Sequence, residues 1–245
     1  MTENSIRFYG AEWPCVDDAG AEKKRGSRSY PAHYMKMNTG TTVTIGAAAD
    51  FDYLTDALDY YSGSILEQNL TFQLEEDIVV GESITISNFI SAGGSLAIDT
   101  NGYTIVANCN SPLYFKECQG LSAIVKGAGT ITSSHDGEAT YLIMAQRVGH
   151  LTVQDANLAY TGDDTGYGIY FVNTDGTIDE VDTDDINPVD YTYRAYGGCV
   201  VGEDGSSESG GTGKRYLRDG AMAVSNTGLV CSEAGTLTPK KYLCL

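Results

Sequence analysis

At 245 residues and a formal net charge of −18, the chain is long enough for one or two domains with a sizeable core. That charge excludes nucleic acid as a partner, which needs a basic face, and no apolar run is long enough for membrane insertion. The 29 Gly and 17 Tyr point to a turn-dense, β-rich protein.

Residues 1–40 carry six basic side chains against five acidic ones. No Lys or Arg occurs between Met37 and Phe115, and none between Val148 and Tyr193, where ten acidic residues fall. A near-neutral leader thus precedes an anionic body. The leader holds Trp13-Pro14 and the basic residues Lys23, Lys24, Arg25 and Arg28. Its aromatic content marks it as a docking segment rather than a disordered tail. It has neither the basic nor the apolar region of a secretory signal. Six cysteines without a CxxC pair are expected as reduced, packed thiols in a protein that folds in a cytoplasm.

A strand-like Val43-Thr44-Ile45 is followed by Phe51, Leu54, Ala57, Leu58 and Tyr61 at helical spacing. Asp52 is the expected N-cap and Gly63 the stop, which gives a helix near residues 52–62. Short alternating runs then recur, among them Leu70–Leu74, Leu96–Ile98, Leu113–Phe115, Leu121–Val125, Tyr141–Met144 and Gly168–Val172. Glycine-bearing turns separate them, and one of these, Asp175-Gly176, is expected to connect Ile169–Val172 with Thr177–Val181. The spacing fits a β-solenoid, or alternatively a β-sandwich or jelly roll. A lone early helix favours the solenoid, whose open end must be capped. The body is expected over residues 41–190, with a loop-rich C-terminal β segment over 191–245.

The order Val-Thr-Ile-Gly followed by Asp-Phe-Asp-Tyr-Leu-Thr-Asp-Ala-Leu-Asp (residues 43–59) resembles the opening of right-handed parallel β-helix proteins of the pectate-lyase type. It is especially similar to bacteriophage tail spikes, tail fibres and related appendages. The resemblance is clear over about residues 43–90 and compositional to about 185. It implies a virion protein assembled in the host cytoplasm and docked to other tail proteins through residues 1–40. It further implies a homotrimer in contact with host-surface glycan. A non-enzymatic attachment role is expected first, and a polysaccharide lyase or hydrolase second.

Chemistry is sparse. Asn173-Thr174-Asp175 is similar to a polygalacturonase motif, and Asp184-Asp185 could stand for that family's carboxylate pair. The Gly-His-Gly and Arg-Ile-Lys elements of that family are missing. No cofactor is expected, although Asp179, Asp182 and Asp184 in an acidic loop leave divalent-cation binding open. His33, His135 and His150 are scattered, which disfavours zinc or a Ser-His-Asp triad. Tyr160, Tyr167, Tyr170, Tyr191, Tyr193 and Tyr196 cluster among Asp and Gly, and the first five form the expected ligand-binding set, because a phenol offers a flat apolar face and a hydroxyl.

Overall fold

Runs of three to five alternating residues cannot hold a sheet by themselves, and the chain stacks them by winding into a right-handed parallel β-helix of about six turns. The computed structural model describes residues 5–8, 11–14, 35–136, 139–163, 166–182, 189–202, 215–218, 222–225 and 230–231.

The long face stacks Thr41–Ile45, Leu70–Leu74, Leu96–Asp99, Ser122–Lys126, His150–Tyr160, Asp175–Asp182, Cys199–Gly202 and Met222–Ser225, in chain order. A second set, Ile78–Val80, Ile105–Ala107 and Thr130–Ser133, joins the far half of His150–Tyr160. A third face stacks Ile84–Ile86, Leu113–Lys116, Thr140–Gln146, Gly166–Val172, Val189–Tyr196 and Arg215–Arg218. Met35–Met37, Ser64–Leu66 and Ile90–Ser91 form a short fourth face. Two antiparallel pairings accompany these parallel ladders among the described residues: Ser5–Phe8 with Ala11–Pro14, and Met222–Ser225 with Val230–Cys231. The third-face and long-face ladders run on past residue 190, and Met35–Met37 already belongs to a ladder before residue 41.

Register turns the alternation into columns. Val43, Phe72, Ile98, Val125, Val153 and Ile178 lie rung on rung, each at most 2% exposed. On the third face the inward column reads Ile86, Phe115, Ala145, Phe171, Ala195, so large and small side chains alternate and interdigitate. Burial of each large apolar side chain contributes about 1.5–3 kcal/mol.

The corner from the third face to the long face is a second column. Asn88, Glu117, Arg147, Asn173 and Gly197 all have positive φ; the last four directly follow the final residue of their rungs, and Asn88 comes one residue later, after Ser87. The amides of Glu117, Arg147 and Asn173 donate to Gln146 O, Val172 O and Tyr196 O at 2.9, 2.9 and 2.7 Å. One residue on, Phe89, Cys118, Val148 and Thr174 are buried. The reversal therefore lies at Asn173-Thr174, and Asp175-Gly176 begins the strand Asp175–Asp182 instead of forming the expected turn. Gly176 sits where Leu151 and Val200 point inward on the neighbouring rungs. A Cβ there would stand 2.3 Å from Phe171 Cε1, so the glycine leaves room for the ring.

Helix α1 spans Leu54–Tyr61 and buries Leu54, Ala57 and Leu58. It lies against Ile84–Ile86 and Thr41–Ile45, covering the first rung of the third face, whose polar edge would otherwise invite pairing. Phe51 and the helix's last residue, Tyr61, pack against the core, with Tyr61 edge-on to Phe72 at 5.8 Å. The expected Asp52 cap is not formed. Tyr53 is the N-cap residue, in an extended conformation and without a side-chain cap bond. The capping chemistry goes one turn earlier, where Asp50 Oδ2 accepts both the Thr44 amide and its hydroxyl at 2.9 Å and fixes the chain's return into the helix.

Leu58→Ala should cost about 2–5 kcal/mol by the cavity it leaves and raise concentration-dependent light scattering as Ile84–Ile86 is uncovered. Asp59→Ala, on the exposed side of the same helix, should stay within about 0.5 kcal/mol of the parent in urea unfolding. Gly176→Ala should destabilise by about 1–3 kcal/mol through overpacking against Phe171, and Gly176→Ala combined with Phe171→Leu should recover part of that loss.

Candidate recognition face

The outer side of the third face gathers aromatic side chains because its rungs are in register. Tyr141 lies beside Tyr167, and Met144 beside Tyr170 and then Arg194. The Tyr141 and Tyr167 rings stack at 5.0 Å with 17° between planes, close to the inter-rung spacing of about 4.8 Å. Tyr141 and Tyr170 stack at 4.4 Å and 24°, and Tyr196 meets Tyr170 edge-on at 5.5 Å. All four are half-buried.

Strict alternation would put Tyr167 and Tyr170, three residues apart, on opposite sides. The strand breaks its period between them, since Gly168 and Ile169 are both buried, and Leu142-Ile143 do the same on the rung before. This bend returns Tyr167 and Tyr170 to a common outer surface.

Arg194 organises the cluster. Its guanidinium carbon lies 5.5, 5.4 and 4.8 Å from the ring centroids of Tyr167, Tyr170 and Tyr196, in range for cation–π attraction. Its Nη1 donates to the Tyr141 hydroxyl at 2.8 Å and its Nη2 to the Tyr196 hydroxyl. Burial opposes the Arg194 charge, but the Tyr196 bond and the surrounding phenols outweigh it and raise its pKa. Burial pushes the Tyr141 phenol above its ordinary value of 10.0, against the pull of Arg194. On an earlier rung Tyr114 donates to Gln146 Oε1, and Lys116 Nζ lies 5.6 Å from the Tyr114 ring. The assembly is a cation-centred platform of stacked aromatic rings running along the coil axis, which offers half-buried apolar rings and hydroxyls to a ligand.

Of the five tyrosines expected to bind a ligand, Tyr167 and Tyr170 lie on this platform. Tyr160 and Tyr193 are core residues, each 1% exposed. Tyr160 donates to His135 O at 2.8 Å, and Tyr193 packs edge-on against Phe171 at 6.2 Å. The Tyr191 side chain lies outside the described residues. Tyr196, a member of the tyrosine cluster outside that set, joins Tyr167 and Tyr170, and Tyr141 and Arg194, which complete the platform, were missed. Arg194 had one signal, being the first cation after the long stretch that has none.

Of the carboxylates expected to carry catalysis, Asp175 alone lies among the described residues. Asp175 is exposed, and its Oδ1 accepts the Cys199 amide at 2.8 Å. Its neighbour Thr174 is buried, with its hydroxyl accepting the Val148 amide at 3.1 Å. His150 lies in register beside Asp175, with Nε2 3.1 Å from Thr177 Oγ1. Asp184 and Asp185 lie outside the described residues. Asp179 is in register with Gln154, and Asp182 with Asn157. Among the described residues, no three His, Cys, Asp or Glu side chains converge as a metal site would require. Cys109 and Cys118 are buried thiols, and burial raises the Cys118 pKa.

No protein-family model, curated protein or solved structure matches the chain.

Because the Tyr141 phenol binds its proton more tightly in the fold than at its ordinary value of 10.0, its contribution to stability is complete below pH 10. It is lost as pH rises through the folded pKa. Alkaline titration of tyrosinate absorbance should show a late-titrating class of phenols, and that class should shrink in Tyr141→Phe. Unfolding free energy should fall across the same pH window.

Proposed function

We propose that this chain is a structural attachment component of a bacteriophage or phage-tail-like particle, a tail spike, tail fibre or appendage that holds host-surface glycan without cleaving it. The observation that carries the reading is the platform of Tyr141, Tyr167, Tyr170, Tyr196 and Arg194, fixed on successive rungs of a parallel β-helix. A sugar ring stacks its C–H face on such rings and offers hydroxyls to phenol and guanidinium groups. A β-helix holds these groups rigidly, so little ordering cost accompanies binding. The resemblance of residues 43–90 to tail spikes and fibres supports the particle assignment, with residues 1–40 as the docking leader and a homotrimer as the assembled form.

The purified chain should retain host capsular or lipopolysaccharide glycan in a pull-down without generating new reducing or unsaturated ends. Tyr170→Ala should weaken retention about tenfold or more, the order of a hot-spot aromatic, with thermal unfolding close to the parent. Release of glycan fragments that Asp175→Asn abolishes would replace this reading with a polysaccharide-degrading spike. Immunogold labelling of tail particles should place the chain on their outer surface.

A further inference from the structure

The second set of strands begins on an open edge. Ile78–Val80 pairs with Ile105–Ala107 and, among the described residues, with no other strand. The Ile78 amide donates to Thr104 O at 2.9 Å, and Val80 O accepts the Asn108 amide at 3.3 Å. Backbone groups of successive residues in a parallel ladder alternate in direction. The Val79 N–H and C=O therefore face away from Ile105–Ala107.

The preceding coil does not cover this edge. It runs beside the second coil as far as Glu75, whose amide donates to Ile45 O at 2.9 Å. Ala47 then donates to Glu76 Oε1 at 2.9 Å, and the chain turns back through Phe51, which bridges to Ile45, to enter α1. A cleft of about 560 Å³ is left between Asp52–Thr55 on one side and Glu76–Ile84 on the other. Two apolar side chains stand exposed beside it, Val79 at 83% and Tyr53 at 67%. The exposed carboxylates Asp52, Glu76, Asp77 and Glu82 rim it, and no Lys or Arg is among the residues that line it.

We infer that this cleft docks an extended, Lys- or Arg-bearing segment of a partner protein, which adds to Ile78–Val80 as a further strand. Backbone pairing to Val79 supplies the affinity, and the carboxylate rim selects a cationic segment. The site is on a different surface from the aromatic platform and is independent of glycan attachment.

The test uses the full chain and a fluorescein-labelled peptide of alternating Lys and Val, with a Glu-for-Lys peptide as control. Saturable binding of the Lys peptide is expected, weakening with added salt, with the Glu peptide bound at least about tenfold more weakly. Val79→Pro removes the outward N–H without breaking an existing ladder bond, and it should weaken binding about fivefold or more. Val79→Lys keeps the backbone intact and places a cation on the edge, and it should weaken binding similarly while the parent melting temperature is kept. The proposal is overturned if the two peptides bind alike, or if neither Val79 variant changes binding. It is equally overturned if the Lys peptide binds only after Lys23, Lys24, Arg25 and Arg28 are changed to Ser, because the chain's own leader then fills the cleft. Self-association abolished by Val79→Lys in sedimentation would overturn it too, with a second copy as the occupant.

Discussion

Parallel strands one turn apart must pair in register, because a slip of a single residue would turn every inward side chain out. In this chain the ladders keep register although the windings differ in length, with one bulge between Gly166 and Tyr167, which pair with Val189 and Tyr191. The interval is 29 residues from Thr41 to Leu70 and 23 from Val200 to Ala223. Variation is absorbed in the loops, while the corner residues Asn88, Glu117, Arg147, Asn173 and Gly197 repeat one backbone shape. Non-glycine residues with positive φ cost energy, and the inter-rung bonds at those corners hold them in place. Inside, the same register stacks Phe72 on Ile98 and seats Ala145 between Phe115 and Phe171. Outside, it brings Tyr141 to Tyr167.

Electrostatics follows from this stacking. Asp99 and Lys126 are register partners and pair at 3.1 Å, and the corner residues Glu117 and Arg147 pair at 3.2 Å. Such exposed pairs contribute little to stability. Arg194 differs in being half-buried among phenols, where displaced water strengthens its attraction to the rings. It follows a long acidic stretch of sequence, and its charge gives the platform a polarity that the net charge of the chain conceals.

The solenoid was legible because alternation and turn residues are local signals, and because a lone amphipathic helix before the first regular strands fits the capping of an open end. Corners and bends were less legible. Asp175-Gly176 carries turn chemistry in its sequence, yet its glycine is spent on Phe171, a residue from a different face. Tyr193 and Tyr160 look like platform residues in composition. Their inward position depends on strand parity. Tyr193 takes the register place of Ile169, an inward residue of the Gly168-Ile169 bend. Tyr160 follows Gln154-Asp155, two successive outward residues that shift the period of its own strand. Arg194 joins Tyr141 across two rungs, and a contact over that distance in sequence has no local signature. The strand Ile78–Val80 is too short to announce itself, and Asp52 loses its capping role because Asp50 is better placed to tie Thr44.

The helix that closes the first coil also gives the molecule a direction. With α1 seated on Ile84–Ile86, strands of the third face can be added only from the opposite side, so growth of that sheet is one-way, in the order in which a ribosome delivers the chain. Each new rung meets a finished template, and its loop-closure cost is that of one turn instead of the whole sheet. A fold built largely from contacts distant in sequence can thereby assemble as a series of short steps, with the sealed end as its starting block.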